Sequence, residues 1–281
     1  MKSCARFPVK ALYVWIFLGL GLSACQSHRL PVSVSEPQSQ GRDFEFIERL
    51  YVLSREIPAV AVRGSARYTE INGAGHHFTF EAYVQNPDLL ALYIFGPGGS
   101  PVMRLTLRDQ TAEIIDYGRK IVAAGLRSAL SDVSLPIPLP PEELASILSG
   151  SLSSAPERVQ LTGLWTEPAR SEFTVWLKRS GEPVRLYLDG APQEDKLPVL
   201  RRLTAETVRG PLTVAYDRLT ELTRRDREET VLFPHSVICE IGRSRQKQRL
   251  EISYEEAVLG LILPQENFAQ SPPAGFTQQD L

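Results

Sequence analysis

His76 and His77 are adjacent, and neighbouring side chains of an extended segment leave opposite faces, so the pair cannot hold one metal ion together. His235 follows a proline in another segment, and no Cys/His spacing of the metal-ligating kind occurs, so no metal site is expected. GPGGS, Gly96 to Ser100, is glycine-rich but lacks the lysine and following helix of a phosphate loop. It reads as a tight connection between strands. No GxSxG motif occurs, and the acids are scattered over polar faces rather than paired. Neither an enzyme nor a cofactor is expected. Arg243, Arg245, Lys247 and Arg249 alternate, so a strand would show all four on one face. Such a stripe could meet anionic lipid headgroups, but a solvated strand face is the simpler reading.

Cys25 is the one residue whose surroundings point to a defined reaction. Lys2, Arg6 and Lys10 precede the apolar run Ala11 to Leu22. That run is well short of the roughly 20 residues that span a bilayer, and it ends in small residues. Basic head, apolar middle and small-residue end make a secretory signal. LSAC, Leu22 to Cys25, resembles the lipobox of bacterial lipoproteins, where the signal is cut before the cysteine and the thiol receives a diacylglyceryl group. An ordinary signal peptide ending near a cysteine is the plainer alternative. Residues 1–24 are therefore expected to be removed and Cys25 to carry lipid. Gln26 in place of aspartate favours the outer membrane by the sorting rule of enteric bacteria, which sets the domain facing the periplasm. Cys4 leaves with the signal, so Cys239 is the single remaining thiol; in the apolar run VICEI it reads as a small core residue.

The elements around these residues follow from composition and period. The chain is 43% hydrophobic and 23% charged, ordinary for a globular protein. Loss of the signal lowers the basic count from 31 to 28 against 33 acids, a net charge of −5 that gives no reason to expect nucleic acid as partner. Residues 25–42 are polar and Pro/Ser-rich and read as a flexible tether; 269–281 read as a similar disordered tail. Between them, residues 43–268 form the folded domain. Phe46, Leu50, Leu53 and Ile57 recur at helical spacing until Pro58. Strand alternation follows: Phe78, Phe80, Ala82 and Val84; Met103, Leu105 and Leu107; Phe173, Val175 and Leu177; Val184, Leu186 and Leu188; Leu250, Ile252 and Tyr254. Period two with one polar face means antiparallel sheet, wet on one side. Leu126 to Asp132 is helix-compatible. A second helix follows at PPEELASILSG, with prolines at its start, Glu142 and Glu143 in its first turn and Gly150 at its end.

The segment from Ala59 to Leu152 resembles the LolB family of outer-membrane lipoprotein receptors. The likeness runs through VRGSARY, HHFTFEAYVQNPDLLALYIFGPGGSPVMRLTL and IIDYGRKIVAAG, and is sharpest at LPIPLPPEELASILSG. Beyond Leu152 only the strand pattern matches. The resemblance implies a mainly β fold: an incomplete, half-open antiparallel β-barrel with a lid of short α-helices, LolA/LolB-like. It also implies that acyl chains of lipids or lipoproteins sit between sheet and lid, with a LolA-like periplasmic carrier as partner. Transfer through water needs such a pocket, since each exposed CH₂ costs about 0.8 kcal/mol. Phe78, Phe80, Met103, Leu105, Phe173, Val175 and Leu186 share the inward parity and are expected to line it, although a closed core would use the same parity. Receptors of this family carry an exposed leucine in a Pro-Leu-Gly loop that delivers lipoproteins into the membrane. Here the matching membrane-facing loop is Phe95, Pro97, Gly98 and Gly99, with Gly98 where the leucine would stand.

Overall fold

A computed structural model describes residues 40–57, 59–85, 89–132, 141–152, 155–166, 168–178, 183–192, 199–207, 210–243, 246–268 and 273–280. The signal, Cys25 and the tether as far as residue 39 lie outside the described residues, and residues 40–42, expected in the tether, are helical instead. Helix α1 (Gln40–Glu56) begins six residues ahead of the first stripe residue, Phe46, and packs on strand β7 (Pro156–Thr166). It buries Phe46 and Ile47.

Six strands follow in sequence order: β1 (Val60–Thr69), β2 (Gly75–Gln85), β3 (Leu89–Phe95), β4 (Pro101–Arg108), β5 (Thr111–Asp116) and β6 (Ile121–Leu126). Of the helix-compatible stretch Leu126 to Asp132, Arg127–Asp132 form a 3₁₀ segment and Leu126 ends β6. Helix α2 (Pro141–Ser149) comes next, then β7, β8 (Ala169–Leu177), β9 (Pro183–Asp189), β10 (Val199–Thr207), β11 (Gly210–Thr223), β12 (Thr230–Ile241), β13 (Gln248–Leu259) and β14 (Thr277–Asp280). All belong to one sheet in the order β14-β6-β5-β4-β3-β2-β1-β13-β12-β11-β10-β9-β8-β7. Pairing is antiparallel except for β14 beside β6, and β7 does not meet β14, so the barrel stays open.

The expected alternation holds on the inner face: Phe80, Ala82, Met103, Leu105, Phe173, Val175, Leu186 and Ile252 are all buried there. One glycine permits the sheet to coil at its middle. β1 and β13 shift register between Arg63 and Gly64, and a Cβ on Gly64 would stand 2.1 Å from the Ser253 carbonyl oxygen. No side chain fits that approach.

Helix α2 is stopped as its sequence requires. Gly150 takes φ +69°, Ser151 N–H donates to the Ser146 carbonyl (2.9 Å) and Gly150 N–H to that of Ile147 (3.4 Å), the paired bonds of a Schellman end. The Tyr254 hydroxyl donates to the Leu148 carbonyl (3.1 Å), fastening the helix across the sheet.

Three expectations are corrected. The outer face is not wet throughout, because residues 265–268 turn across β3 and β4. Tyr93 donates to the Asn267 carbonyl (3.3 Å) and Arg108 to that of Phe268. Ala91, Arg104, Thr106, Ile115 and Phe268 are buried there. The tail is likewise not free of structure: Thr277–Asp280 pair with the open edge of β6, and Phe276 meets Tyr117 edge-on at 5.8 Å. An exposed strand edge offers hydrogen bonds to a polar partner that has no apolar periodicity. The expected cationic stripe also breaks up. Arg243 lies past the end of β12, Arg245 is outside the described residues, and Lys247 and Arg249 pair with Glu240 at 3.0 and 3.3 Å.

Candidate lipid-binding cavity

Strands β1 and β8 to β13 border, with the C-terminal ends of α1 and α2, a partly open cavity of about 760 Å³. Engineered apolar cavities of roughly 150 Å³ take up benzene, so this one has room for about 30 carbon atoms, the size of one or two acyl chains. Leu50 and Ile57 line it from the α1 side, and Ser149 and Gly150 from α2. The sheet contributes Val60, Leu200, Tyr216, Leu219, Phe233 and Leu259.

The backbone explains how β11 lines it. Leu212, Val214 and Tyr216 alternate inward, and strict alternation would send Leu219 outward. Arg218, between them, adopts φ +52°, a left-handed conformation rare for a side-chain-bearing residue. Past that kink Leu219 joins Tyr216 on the cavity wall. The Tyr216 hydroxyl is buried without a hydrogen-bond partner among the described residues, and burial raises its pKa well above the usual tyrosine value. Burial pushes the Cys239 thiol up as well, so neither group is ionised at neutral pH.

A buried arginine ties down the cavity's end. Arg224 donates to the Glu56 carbonyl at the end of α1 (2.7 Å), to both Asp226 carboxylate oxygens (3.0 and 2.6 Å) and to Glu229 (3.2 Å). The hydrogen bonds from Arg224, chiefly, hold the Asp226 carboxyl below its ordinary value of 3.8. A depressed folded pKa contributes stability that is complete above the unfolded value and lost as pH falls through the folded one. Thermal unfolding of the parent and of Asp226→Asn should therefore differ at neutral pH and converge below about pH 4. A difference that stays constant through that acid range would contradict the pairing.

The residues expected to line the pocket divide between two places. Phe78 and Phe80 border a gap of about 20 Å³ beneath α2, with Leu144 and Leu148 above it. Met103, Leu105, Phe173, Val175 and Leu186 are packed in the buried core. None of the seven borders the large cavity, whose lining comes from strand ends and from the kink at Arg218. At the loop, Gly98 and Gly99 take φ +79° and +77°, and nothing lies within 4 Å of an added Cβ at either. Pro97, Gly98 and Gly99 are exposed and Phe95 is half-buried. Among the described residues no group of three or more His, Cys, Asp or Glu side chains could hold a metal. His76 is instead engaged with Glu70 at 2.8 Å.

No protein-family model matches the sequence, and no curated protein matches it. Solved structures do match. A domain from Vibrio parahaemolyticus that carries the name outer membrane lipoprotein-sorting protein has a TM-score of 0.58 at 7% identity, covering 79% of this chain and 95% of its own. A LolA superfamily protein from Nitrosomonas europaea gives 0.52 at 12%, covering 80% and 98%. A DUF1329 family protein from Desulfovibrio piger gives 0.58 at 9%, covering 81% and 97%. What these proteins have in common with this chain is the fold, an open, mainly antiparallel β-barrel.

Proposed function

We propose that this protein is an envelope lipoprotein that holds acyl chains in the cavity between its sheet and the ends of its two helices. The observation that carries the reading is the cavity itself: about 760 Å³, walled mainly by aliphatic and aromatic side chains, in a fold similar to that of a domain named as an outer membrane lipoprotein-sorting protein. Nothing in the wall calls for catalysis, and apolar burial alone can hold a chain at about 0.8 kcal/mol per methylene. Receiving lipoproteins for the outer membrane, as the LolB resemblance implies, is the task we assign it. Its anchor is lipid on Cys25, its side the periplasmic face of the outer membrane, and its donor a LolA-like carrier.

The loop Phe95, Pro97, Gly98 and Gly99 is the membrane-facing element in this reading. It has open space but no apolar side chain at Gly98, so it touches the bilayer weakly and the protein retains lipid better than it inserts it.

Two experiments bear on the proposal. Cys25→Ser should leave the outer-membrane fraction and accumulate as precursor or soluble protein; unchanged fractionation would overturn the anchor. Lipid extraction and mass spectrometry of the purified protein should find acyl lipid bound. A folded protein that carries none and takes up no added fatty acid or lipoprotein would overturn the carrier reading.

A further inference from the structure

We propose that Arg170 and Arg201, joined by Asp189 at the rim of the cavity, hold a negatively charged headgroup on the lipid whose chain fills it. The inference rests on the acyl-chain reading and adds the chemical class of the ligand: an amphiphile ending in a carboxylate or phosphate oxyanion.

Three strands bring these residues together. Arg170 on β8 is the direct cross-strand neighbour of Asp189 on β9, and Val199 of β10 pairs with Asp189 from the other side. The β9–β10 register shifts between Leu200 and Arg202, so Arg201 is the extra residue of a bulge. Bulges re-aim side chains, and this one leaves consecutive arginines with different partners. Arg202 lies over the Tyr187 ring at 5.5 Å, whereas Arg201 donates through Nε to Asp189. Arg170 Nε stands 3.5 Å from the other Asp189 oxygen. By alternation Arg170 and Asp189 belong to the outer face. They border the cavity because they sit at strand ends that form its rim.

Among the described residues these three are the only charged ones lining the cavity, two positive and one negative. One positive charge is left over beside an apolar volume. Neither guanidinium has a hydrogen-bond partner among the described residues besides Asp189, and planar forks of donors suit carboxylate and phosphate oxygens. Both side chains remain partly exposed, 61% for Arg170 and 39% for Arg201, which lets a headgroup stay hydrated while its chain is buried. A neutral headgroup would gain none of this.

The experiment compares a fluorescent palmitate analogue with its methyl ester, titrated into the purified parent and into Arg170→Gln/Arg201→Gln. The parent should bind the acid about tenfold more tightly than the ester, and added salt should narrow the gap. The double variant should bind both equally, at the parent's affinity for the ester. Equal binding of acid and ester by the parent, or an acid preference that survives in the variant, overturns the headgroup site and leaves the cavity reading intact. So does a parallel loss of both ligands in the variant, which would mark the arginines as structural. Failure of the parent to bind either probe defeats the cavity reading instead. Inorganic phosphate and butyrate should not displace the probe; displacement by either would show a site for free anions rather than lipid.

Discussion

Replacing Leu219 by glutamate should weaken acyl-chain binding about fiftyfold while the sheet stays folded. Leu219 is half-buried on the cavity wall, just past the left-handed Arg218. A carboxylate there keeps its water, and a bound chain must stop short of it. Three methylenes left unburied lose about 2.4 kcal/mol, which is roughly fiftyfold in affinity. Leu219→Ala is the control: it removes packing without adding charge, and should bind within a fewfold of the parent. Circular dichroism should show both variants folded, because the position already borders an open space. Equal binding by the glutamate variant and the parent would place the chain elsewhere.

Gly64→Ala should be strongly destabilising. Its Cβ would meet the Ser253 carbonyl oxygen at 2.1 Å and the Tyr254 Cα at 3.1 Å, both backbone atoms that no rotamer change can move. Relief requires β1 and β13 to separate where the sheet coils. We expect a loss of about 3 kcal/mol or more, which for a domain of this size lowers Tm by about 6–12 °C. Gly41→Ala, in a helix with nothing within 4 Å of the new methyl, should cause no loss. Comparable melting of Gly64→Ala and the parent would mean that β1 and β13 are not held this close.

Residues with a local cause were legible in the sequence. The inward sets on β2, β4, β8, β9 and β13 follow from period two, and α2 was marked by prolines at its start and Gly150 at its end. The cavity was not legible, because parity says which face a residue takes but not how high in the barrel it sits. Phe173 and Leu200 are both inward and buried, yet only Leu200 borders the cavity. Tyr216 and Leu219 break the alternation through a conformation at Arg218 that an arginine does not advertise. Arg201 joins Asp189 through a bulge, one residue of register with no sequence signature. The strap over the outer face was missed for a similar reason. Asn267 and Phe268 are held through their carbonyls, and β14 through its backbone, so the side-chain pattern carries little of the signal.

The claim that the cavity holds an acyl chain is tested most directly by photolabelling. A fatty acid carrying a diazirine near its methyl end, irradiated with the purified protein, should attach to peptides containing Tyr216 to Leu219 and Val231 to Pro234, and excess unlabelled fatty acid should suppress the adducts. Labelling of the folded protein only at exposed apolar positions such as Ile262 or Val102, or labelling that excess fatty acid does not suppress, would contradict it.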